Sequence, residues 1–395
     1  MSTTLQIKDF GPLKLVNIEL KKFNIIIGPQ SSGKSCILKI AAFCRFVESL
    51  ISSGRADRLA KKTFVESNLM VRYKLKGFAI CGVSEIMYES DRCKFFVSFP
   101  NEVGILSYVS KNNEKFECEV AYIPSERDVV SVLPNIFDVK FSASNTTLEY
   151  ISDWNYARKK FNKSQSLNIL DLGVSYYYDT DKEQDIIVIG QNAEIDFSYA
   201  SSGLQSIVPL CVLIDYYIGK KDKTAREYAE INSIMNLINS NELSDQIKQQ
   251  LQQEIKNKES KLLPCSIFLE EPEISIFPET QYELVKWIVN ILSSNKEDNA
   301  IFIATHSPYI LSSFNNLIQA HNAVVTNPQK AKSIAELLKT NKYTDFSELS
   351  VYEVQNGYVS DIKDYELHLI NANGIDSVSD IIQSQYSKLL DYEED

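Results

Sequence analysis

The chain has 395 residues, of which 44% are hydrophobic and 24% charged, a composition typical of a globular protein with a large core. It carries 41 Lys and Arg against 52 Asp and Glu, so the formal net charge at pH 7 is −11. Coating DNA phosphates requires a basic surface, so this charge argues against bulk affinity for DNA, although a local basic groove stays compatible with it. The absence of a signal-peptide core and of apolar runs near the roughly 18 residues of a membrane span predicts a cytoplasmic protein without membrane contact.

Cysteines and histidines indicate no metal site. The three histidines are scattered and the cysteines form no CxxC pair. An odd number of cysteines, several within apolar runs, predicts buried free thiols in a reducing compartment rather than a disulfide framework. The seven positions are Cys36, Cys44, Cys81, Cys93, Cys118, Cys211 and Cys265.

The first predicted elements form a strand–loop–helix unit. Residues 4–8 and 14–20 alternate apolar and polar around a Gly–Pro turn, which predicts a β-hairpin. The apolar run FNIII at 23–27 predicts a short buried parallel strand. A helix with apolar residues at helical spacing is expected from about Gly33 to Gly54.

The remaining chain alternates between strands and helices. Residues 70–123 are expected to be rich in strands, and 128–168 to be mixed and helical. A hairpin is predicted around a turn at 179–182, and two apolar strands at 265–269 and 300–304. The charged, Gln-rich segment 219–262 predicts an exposed helical insertion.

The stretch GPQSSGKS, residues 28–35, matches the pattern G-x-x-x-x-G-K-[ST] between a predicted strand and a predicted helix. Backbone N–H groups of such a loop converge on a phosphate, and the helix N-terminus adds partial positive charge. Lys34 is placed for the β- and γ-phosphates of a nucleotide, and the Ser35 hydroxyl for Mg²⁺. The predicted nucleotide-binding residues are Gly28, Pro29, Gln30, Ser31, Ser32, Gly33, Lys34, Ser35 and Cys36.

Two later strands deliver polar residues at their carboxyl ends, where ligands of open α/β sheets bind. In SIFLEEPE, Glu270 and Glu271 follow a buried strand; one carboxylate is suited to Mg²⁺ and the other to activating water at the γ-phosphate. In FIATHSP, His306 is suited to hydrogen-bond a γ-phosphate. Taken alone, the first pair also fits a solvated turn, and the second motif fits a helix cap with Ser307.

The segment ASSGLQS offers a further helix N-terminus with small residues, which suits an anion but equally fits an ordinary cap. In AYIPSERD, Arg127 has two possible roles: a nucleotide contact or a buried pair with a carboxylate.

The order P-loop, ASSGLQS, FLEEPE and ATHSP, over residues 4–311, resembles the heads of ABC-type ATPases, including the SMC-like and overcoming-lysogenization-defect (OLD) groups. The resemblance implies an α/β fold: a RecA-like P-loop core, a flanking antiparallel β-subdomain and a helical signature subdomain. It also implies ATP and Mg²⁺ as ligands. Glu271 and His306 would be catalytic, and Ser35 and Glu270 would hold the metal, although most members have Asp at the position of Glu270. The degenerate signature would be Ser201, Ser202, Gly203 and Gln205.

The resemblance also implies domains and partners. The head would span residues 1–321, and residues 322–395 would form a tail or small subdomain that packs on the head or binds a partner. OLD nucleases add a TOPRIM domain with an Asp-x-Asp cluster, which this tail lacks. The chain therefore resembles stand-alone ATPase subunits of anti-phage systems such as PARIS and Septu, which work with a separately encoded effector.

Three function classes follow. The first is a defence sensor that joins a second copy of itself through shared ATP sites and controls an effector, a nuclease by resemblance. The second is a DNA-repair or chromosome-associated ATPase, against which the negative charge counts. The third, a transporter ATPase, is disfavoured because neither a full Leu-Ser-Gly-Gly-Gln signature nor a clear Q-loop is found.

Overall fold

A computed structural model describes residues 3–101, 103–112, 114–132, 145–190, 193–219, 263–295, 298–371 and 383–386. Within these ranges, the main sheet has eleven strands: β1 (Thr3–Phe10), β2 (Leu13–Leu20), β3 (Phe23–Ile27), β4 (Glu85–Glu89), β5 (Cys93–Ser98), β6 (Ile105–Ser110), β7 (Glu119–Ile123), β12 (Cys265–Glu270), β13 (Ala300–Thr305), β14 (Leu349–Gln355) and β15 (Tyr358–Asp361). They lie in the order β6-β5-β4-β1-β2-β15-β14-β3-β13-β12-β7.

The other strands described are β8 (Leu167–Asn168), β9 (Val174–Asp179), β10 (Gln184–Ile189) and β11 (Ala193–Asp196), which form a small sheet, and the pair β16 (Lys363–Asp364) and β17 (Leu369–Ile370). The α-helices are α1 (Lys34–Ser52), α2 (Val129–Val132), α3 (Thr146–Ala157), α4 (Ser202–Ile214), α5 (Pro278–Ser294), α6 (Pro308–Thr326) and α7 (Ala331–Leu338). Short π-helical turns occur at Glu66–Val71 and Asp215–Gly219.

One half of the main sheet is parallel and the other antiparallel. β3 pairs in parallel with β13 on one side and β14 on the other, and β12 pairs in parallel with β7 and β13. β1 pairs antiparallel with β2 and β4, which starts the antiparallel half. Helix α1 packs in the hydrophobic cluster on one face of the sheet, while α4, α5 and α6 pack in the cluster on the other.

The α/β class, with a P-loop core flanked by an antiparallel sheet, is confirmed by this architecture. The predicted hairpins at residues 4–20 and around 179–182 are observed as β1–β2 and β9–β10. The strand at 23–27 is buried at every residue, as its apolar sequence predicts. Strands β12 and β13 likewise match the expectations at 265–269 and 300–304.

The subdomain that carries the Ser201 loop contains helices, as expected, and also the small sheet, which packs with α3 and α4 in one cluster. Two expectations need correction. Strands β14 and β15, from the segment expected to be a tail, lie inside the main sheet of the head. Cys81 is exposed, whereas the other six cysteines are buried, and all seven are free thiols.

The predicted insertion at 219–262 falls, from residue 220 on, outside the described residues. No helix in the described ranges is both long enough and apolar enough to cross a membrane.

Candidate functional site

The loop at residues 28–33 connects β3 to α1 and has no room for side chains at its two glycines. Gly28 has a φ of +156° and Gly33 a φ of +104°, conformations that other residues rarely adopt. A Cβ atom added at Gly28 would lie 2.4 Å from the carbonyl oxygen of Val354 in β14. One added at Gly33 would lie 2.5 Å from Cδ2 of Leu13. The loop is therefore held between the β1–β2 turn and a strand from the far end of the chain.

Lys34, the first residue of α1, turns its ammonium group back into this loop. Nζ donates hydrogen bonds of 2.9 Å to the Gly28 carbonyl and 2.8 Å to the Pro29 carbonyl. Burial lowers the pKa of Lys34, and the carboxylates of Glu271 and Glu273 oppose that shift. A buried ammonium among neutral carbonyls gains electrostatic energy from an anion placed beside it, as a phosphate would be.

The Ser32 hydroxyl is a second feature of this loop that suits a phosphate group. The Ser32 hydroxyl oxygen is buried and has no hydrogen-bond partner among the described residues. It lies 3.2 Å from the position of a Cβ at Gly28, and so faces the space that the glycine leaves free. An unpaired buried donor in a loop without side-chain bulk is suited to a phosphate oxygen. Gln30 and Ser31 are exposed, and Cys36 is a buried thiol whose pKa burial raises to about 12.

Glu270 ends β12 and faces α1. Its side chain is almost fully buried, and Oε1 accepts a 2.5 Å hydrogen bond from the Tyr122 hydroxyl. The same oxygen lies 3.8 Å from Nζ of Lys39. Because Lys39 is four residues after Ser35, both side chains lie on one face of α1. Glu270 thus lies beside the face of α1 that also carries Ser35, which is compatible with the predicted Mg²⁺ role; the role itself stays a prediction.

Glu271, His306 and Lys34 lie in one cluster. His306 Nε2 is 3.6 Å from Oε1 of Glu271, and its Nδ1 is 3.4 Å from Nζ of Lys34. Glu271 has a φ of +43°, in the left-handed region, and its N–H donates to the Ala304 carbonyl at 2.8 Å. The imidazole thus lies between the ammonium group of Lys34 and the carboxylate of Glu271, at the carboxyl ends of β3, β12 and β13.

Glu273 is a site residue that the sequence analysis missed. Its carboxylate accepts hydrogen bonds from the His306 backbone N–H at 2.6 Å and from the Thr305 hydroxyl at 2.9 Å. Ser307 then caps α6 and donates to Gln281 at 2.6 Å. The third acid of EEPE thereby fixes the backbone from which His306 projects. Only its place in a run of three acids hinted at this role.

The Ser201 loop caps α4 at a different place. Ser201 and Ser202 are exposed, and the Ser201 hydroxyl accepts a long hydrogen bond of 3.5 Å from the Leu204 N–H. A Cβ at Gly203 would lie 3.0 Å from the Ser275 carbonyl, so the loop packs beside the segment that follows Glu271. Gln205 donates to the Ser198 carbonyl. No hydrogen bond within the described ranges joins this loop to residues 28–36.

Arg127 does not form the expected pair with a carboxylate. Among the described residues, its buried guanidinium donates to backbone carbonyls, including those of Ser206, Glu270 and Glu271. The other expected role, a nucleotide contact, stays a prediction. In the part of the chain that the structure describes, no group of three His, Cys, Asp or Glu side chains is arranged to hold a metal ion. A cation here would therefore need oxygen atoms from its other ligands.

Comparison with known protein families shows a match over about half of the chain. Residues 107–311 match the profile of the AAA ATPase domain. No curated protein matches the chain.

Several solved structures are distantly similar. One is an Smc head bound to the C-winged helix domain of ScpA, with 11% identity, coverage of 90% of this chain and 95% of that chain, and a TM-score of 0.41. The SMC head domain from Thermotoga maritima shares 11% identity over 92% and 99%, with a TM-score of 0.40. The recombination mediator protein RecF shares 11% over 92% and 98%, with a TM-score of 0.36. The family assignment rests on the profile match and not on these likenesses.

Proposed function

The chain belongs to the AAA ATPase domain family, and on this premise we propose that it binds ATP with Mg²⁺, hydrolyses it slowly and uses the cycle as a switch. The observation that carries the proposal is the cluster of Lys34, His306 and Glu271, which joins the phosphate-binding loop to a carboxylate at the ends of adjacent parallel strands. Ligands of open α/β sheets bind at this edge.

Each residue has a role that its position supports. The backbone N–H groups of Gly28 and residues 30–36, with Lys34 and the close approach that Pro29 leaves open, would hold the phosphates. Ser35 and Glu270 would hold Mg²⁺, which when bound supplies positive charge to the phosphate oxygens. Glu271 would orient the attacking water and accept its proton. His306 has one ring nitrogen towards Lys34 and the other towards Glu271, so a neutral ring could donate at one side while accepting at the other.

The switch would act through association of two copies. The exposed Ser201 and Ser202, with Gly203 and Gln205, are suited to meet the nucleotide of a second copy, because an uncovered helix N-terminus attracts an anion. ATP that binds the associated form more tightly than the separate form shifts the equilibrium towards association, and hydrolysis releases it.

The biological role we propose is the sensor subunit of an anti-phage system that controls a separately encoded effector. The order of the four motifs supports it, and the net charge of −11 favours a protein partner over bulk DNA binding. A DNA-repair or chromosome-associated ATPase is the alternative.

The first test is recovery of tagged protein from its native locus without added ATP, with mass spectrometry of co-purifying chains. A stoichiometric protein from the adjacent reading frame supports the sensor role. A single band, together with hydrolysis that DNA stimulates, would favour the alternative.

The second test addresses the switch itself. We expect Glu271→Gln to retain ATP and accumulate as a dimer or larger assembly in light scattering, because binding is kept while water activation is lost. Lys34→Ala is the matched control and should lose both ATP binding and the mass increase. An unchanged mass of Glu271→Gln with bound ATP would refute the switch.

A further inference from the structure

Arg127 lies at the carboxyl end of β12, beside the residues proposed to act in ATP hydrolysis, Glu270 and Glu271. Its side chain is 1% exposed. Nη1 donates to the Glu270 carbonyl at 3.1 Å, and Nη2 donates to the carbonyls of Glu271 at 2.9 Å and Pro272 at 3.3 Å. Three successive carbonyls thus meet one guanidinium. Because Glu271 has a φ of +43° and its N–H is bonded to Ala304, the guanidinium stabilises a backbone turn that few residues adopt unaided.

The same guanidinium reaches the helix that carries the Ser201 loop. Nε donates to the carbonyl of Ser206, in the first turns of α4, at 3.1 Å. Gly203 packs on the Ser275 carbonyl, so α4 also contacts the segment after Glu271 directly. A displacement of α4 at Ser206 must therefore either move Arg127 or break its Nε hydrogen bond.

Burial of this guanidinium costs desolvation free energy. Burial lowers the pKa of Arg127, which means that the surroundings disfavour the charged form. If this position only had to be filled, an apolar side chain would suffice. A planar guanidinium, by contrast, offers hydrogen-bond donors in several fixed directions at once. Tyr150, buried beside it, donates to the Arg127 carbonyl at 2.5 Å and holds its backbone in place.

We propose that Arg127 is a positioning residue: it holds the Glu271 carboxylate in the orientation needed for hydrolysis and links it to the Ser201 loop. A second copy that engages this loop then acts on Glu271 through Arg127. The inference rests on the proposed ATPase function, and it adds the route by which association reaches the catalytic carboxylate.

The test compares Arg127→Met and Arg127→Lys with wild type in single-turnover ATP hydrolysis, ATP affinity and urea unfolding. We expect Arg127→Met to lower the hydrolysis rate by about 10²-fold, the scale of a 1 Å misplacement, with ATP affinity changed less than about threefold. Arg127→Lys should recover part of the rate. Arg158→Met is the matched control, since Arg158 is also buried but pairs with Asp185 on the small sheet, and it should leave the rate unchanged.

A double-mutant cycle separates positioning from general damage. If Arg127 acts through Glu271, Arg127→Met in a Glu271→Gln background should lower the residual rate by less than about threefold. If the rate losses of the two single variants multiply in the double variant, the inference is overturned. It is also overturned if the hydrolysis rate of Arg127→Met falls only in proportion to its folded fraction. If Arg127→Met does not fold, Arg127→Lys is judged by the same criteria. If wild type and Arg127→Met hydrolyse ATP equally fast, the inference about Arg127 is overturned but the proposed function is not. If wild type binds no ATP, both are overturned.

Discussion

The contact between the P-loop and the C-terminal strand β14 predicts a large effect of one methyl group at Gly28. In Gly28→Ala, the new Cβ would start 2.4 Å from the Val354 carbonyl oxygen, whereas ordinary contacts begin at 3.4 Å. The backbones must therefore separate by about 1 Å, and overpacking of this kind costs about 1–3 kcal/mol. The glycine-type φ of +156° adds about 1–3 kcal/mol for a residue with a side chain.

The costs of overpacking and of the backbone conformation sum to about 2–6 kcal/mol, and they destabilise the native conformation of the loop that would bind phosphate. If the loop opens to relieve it, ATP affinity should fall by about 30-fold or more, since about 1.4 kcal/mol corresponds to a factor of ten. The assay is equilibrium binding of a fluorescent ATP analogue with Mg²⁺, alongside urea unfolding. Gly54→Ala is the control: Gly54 has a φ of +79°, but a Cβ there would meet nothing within 4 Å. Equal ATP affinities of the two variants would refute the steric reasoning.

Two further predictions concern buried polar groups. Tyr122→Phe removes the 2.5 Å hydrogen bond to Glu270, so the free energy of unfolding in urea should fall by about 1.5–3 kcal/mol; an unchanged value would mean that the contact contributes nothing. Burial lowers the pKa of Lys363 to about 8, so from pH 8 to 10 the unfolded chain keeps a proton that the folded chain has released, and stability gains from rising pH. The unfolding free energy of wild type minus that of Lys363→Met should therefore grow by about 1–2 kcal/mol over this range, after allowing for solvent screening, and a constant difference would contradict the assignment.

Features set by neighbours in sequence could be predicted. The alternation around residues 4–20 and the apolar runs before Gly28, Glu270 and His306 mark strands by local pattern, and parallel strands bring their carboxyl ends to one edge. The cluster of Lys34, Glu271 and His306 follows from that rule, although the imidazole's position between the two charged groups does not.

Features set by distant pairing could not be predicted. β14 lies beside β3, about 300 residues away in the chain, and nothing in its sequence specifies that neighbour. Glu273 binds the backbone of His306 across a connection that includes a whole helix, so its role is invisible before the strands are assembled. The small sheet was missed as part of the Ser201 subdomain for a related reason: hairpins reveal their own pairing but not what they pack on.

The insertion of β14 and β15 between β2 and β3 has a consequence for how the protein is made. The ribosome releases β1, β2, β3 and the P-loop early, but β14 and β15, which lie between β2 and β3 in the sheet, follow only after β13. Until residue 355 has emerged, β3 lacks its neighbour β14, and the Gly28 loop lacks the Val354 carbonyl against which it packs. Such non-local closure slows folding and exposes a strand edge to mispairing. A nascent chain would thus remain without a complete phosphate-binding loop until β14 has been synthesised.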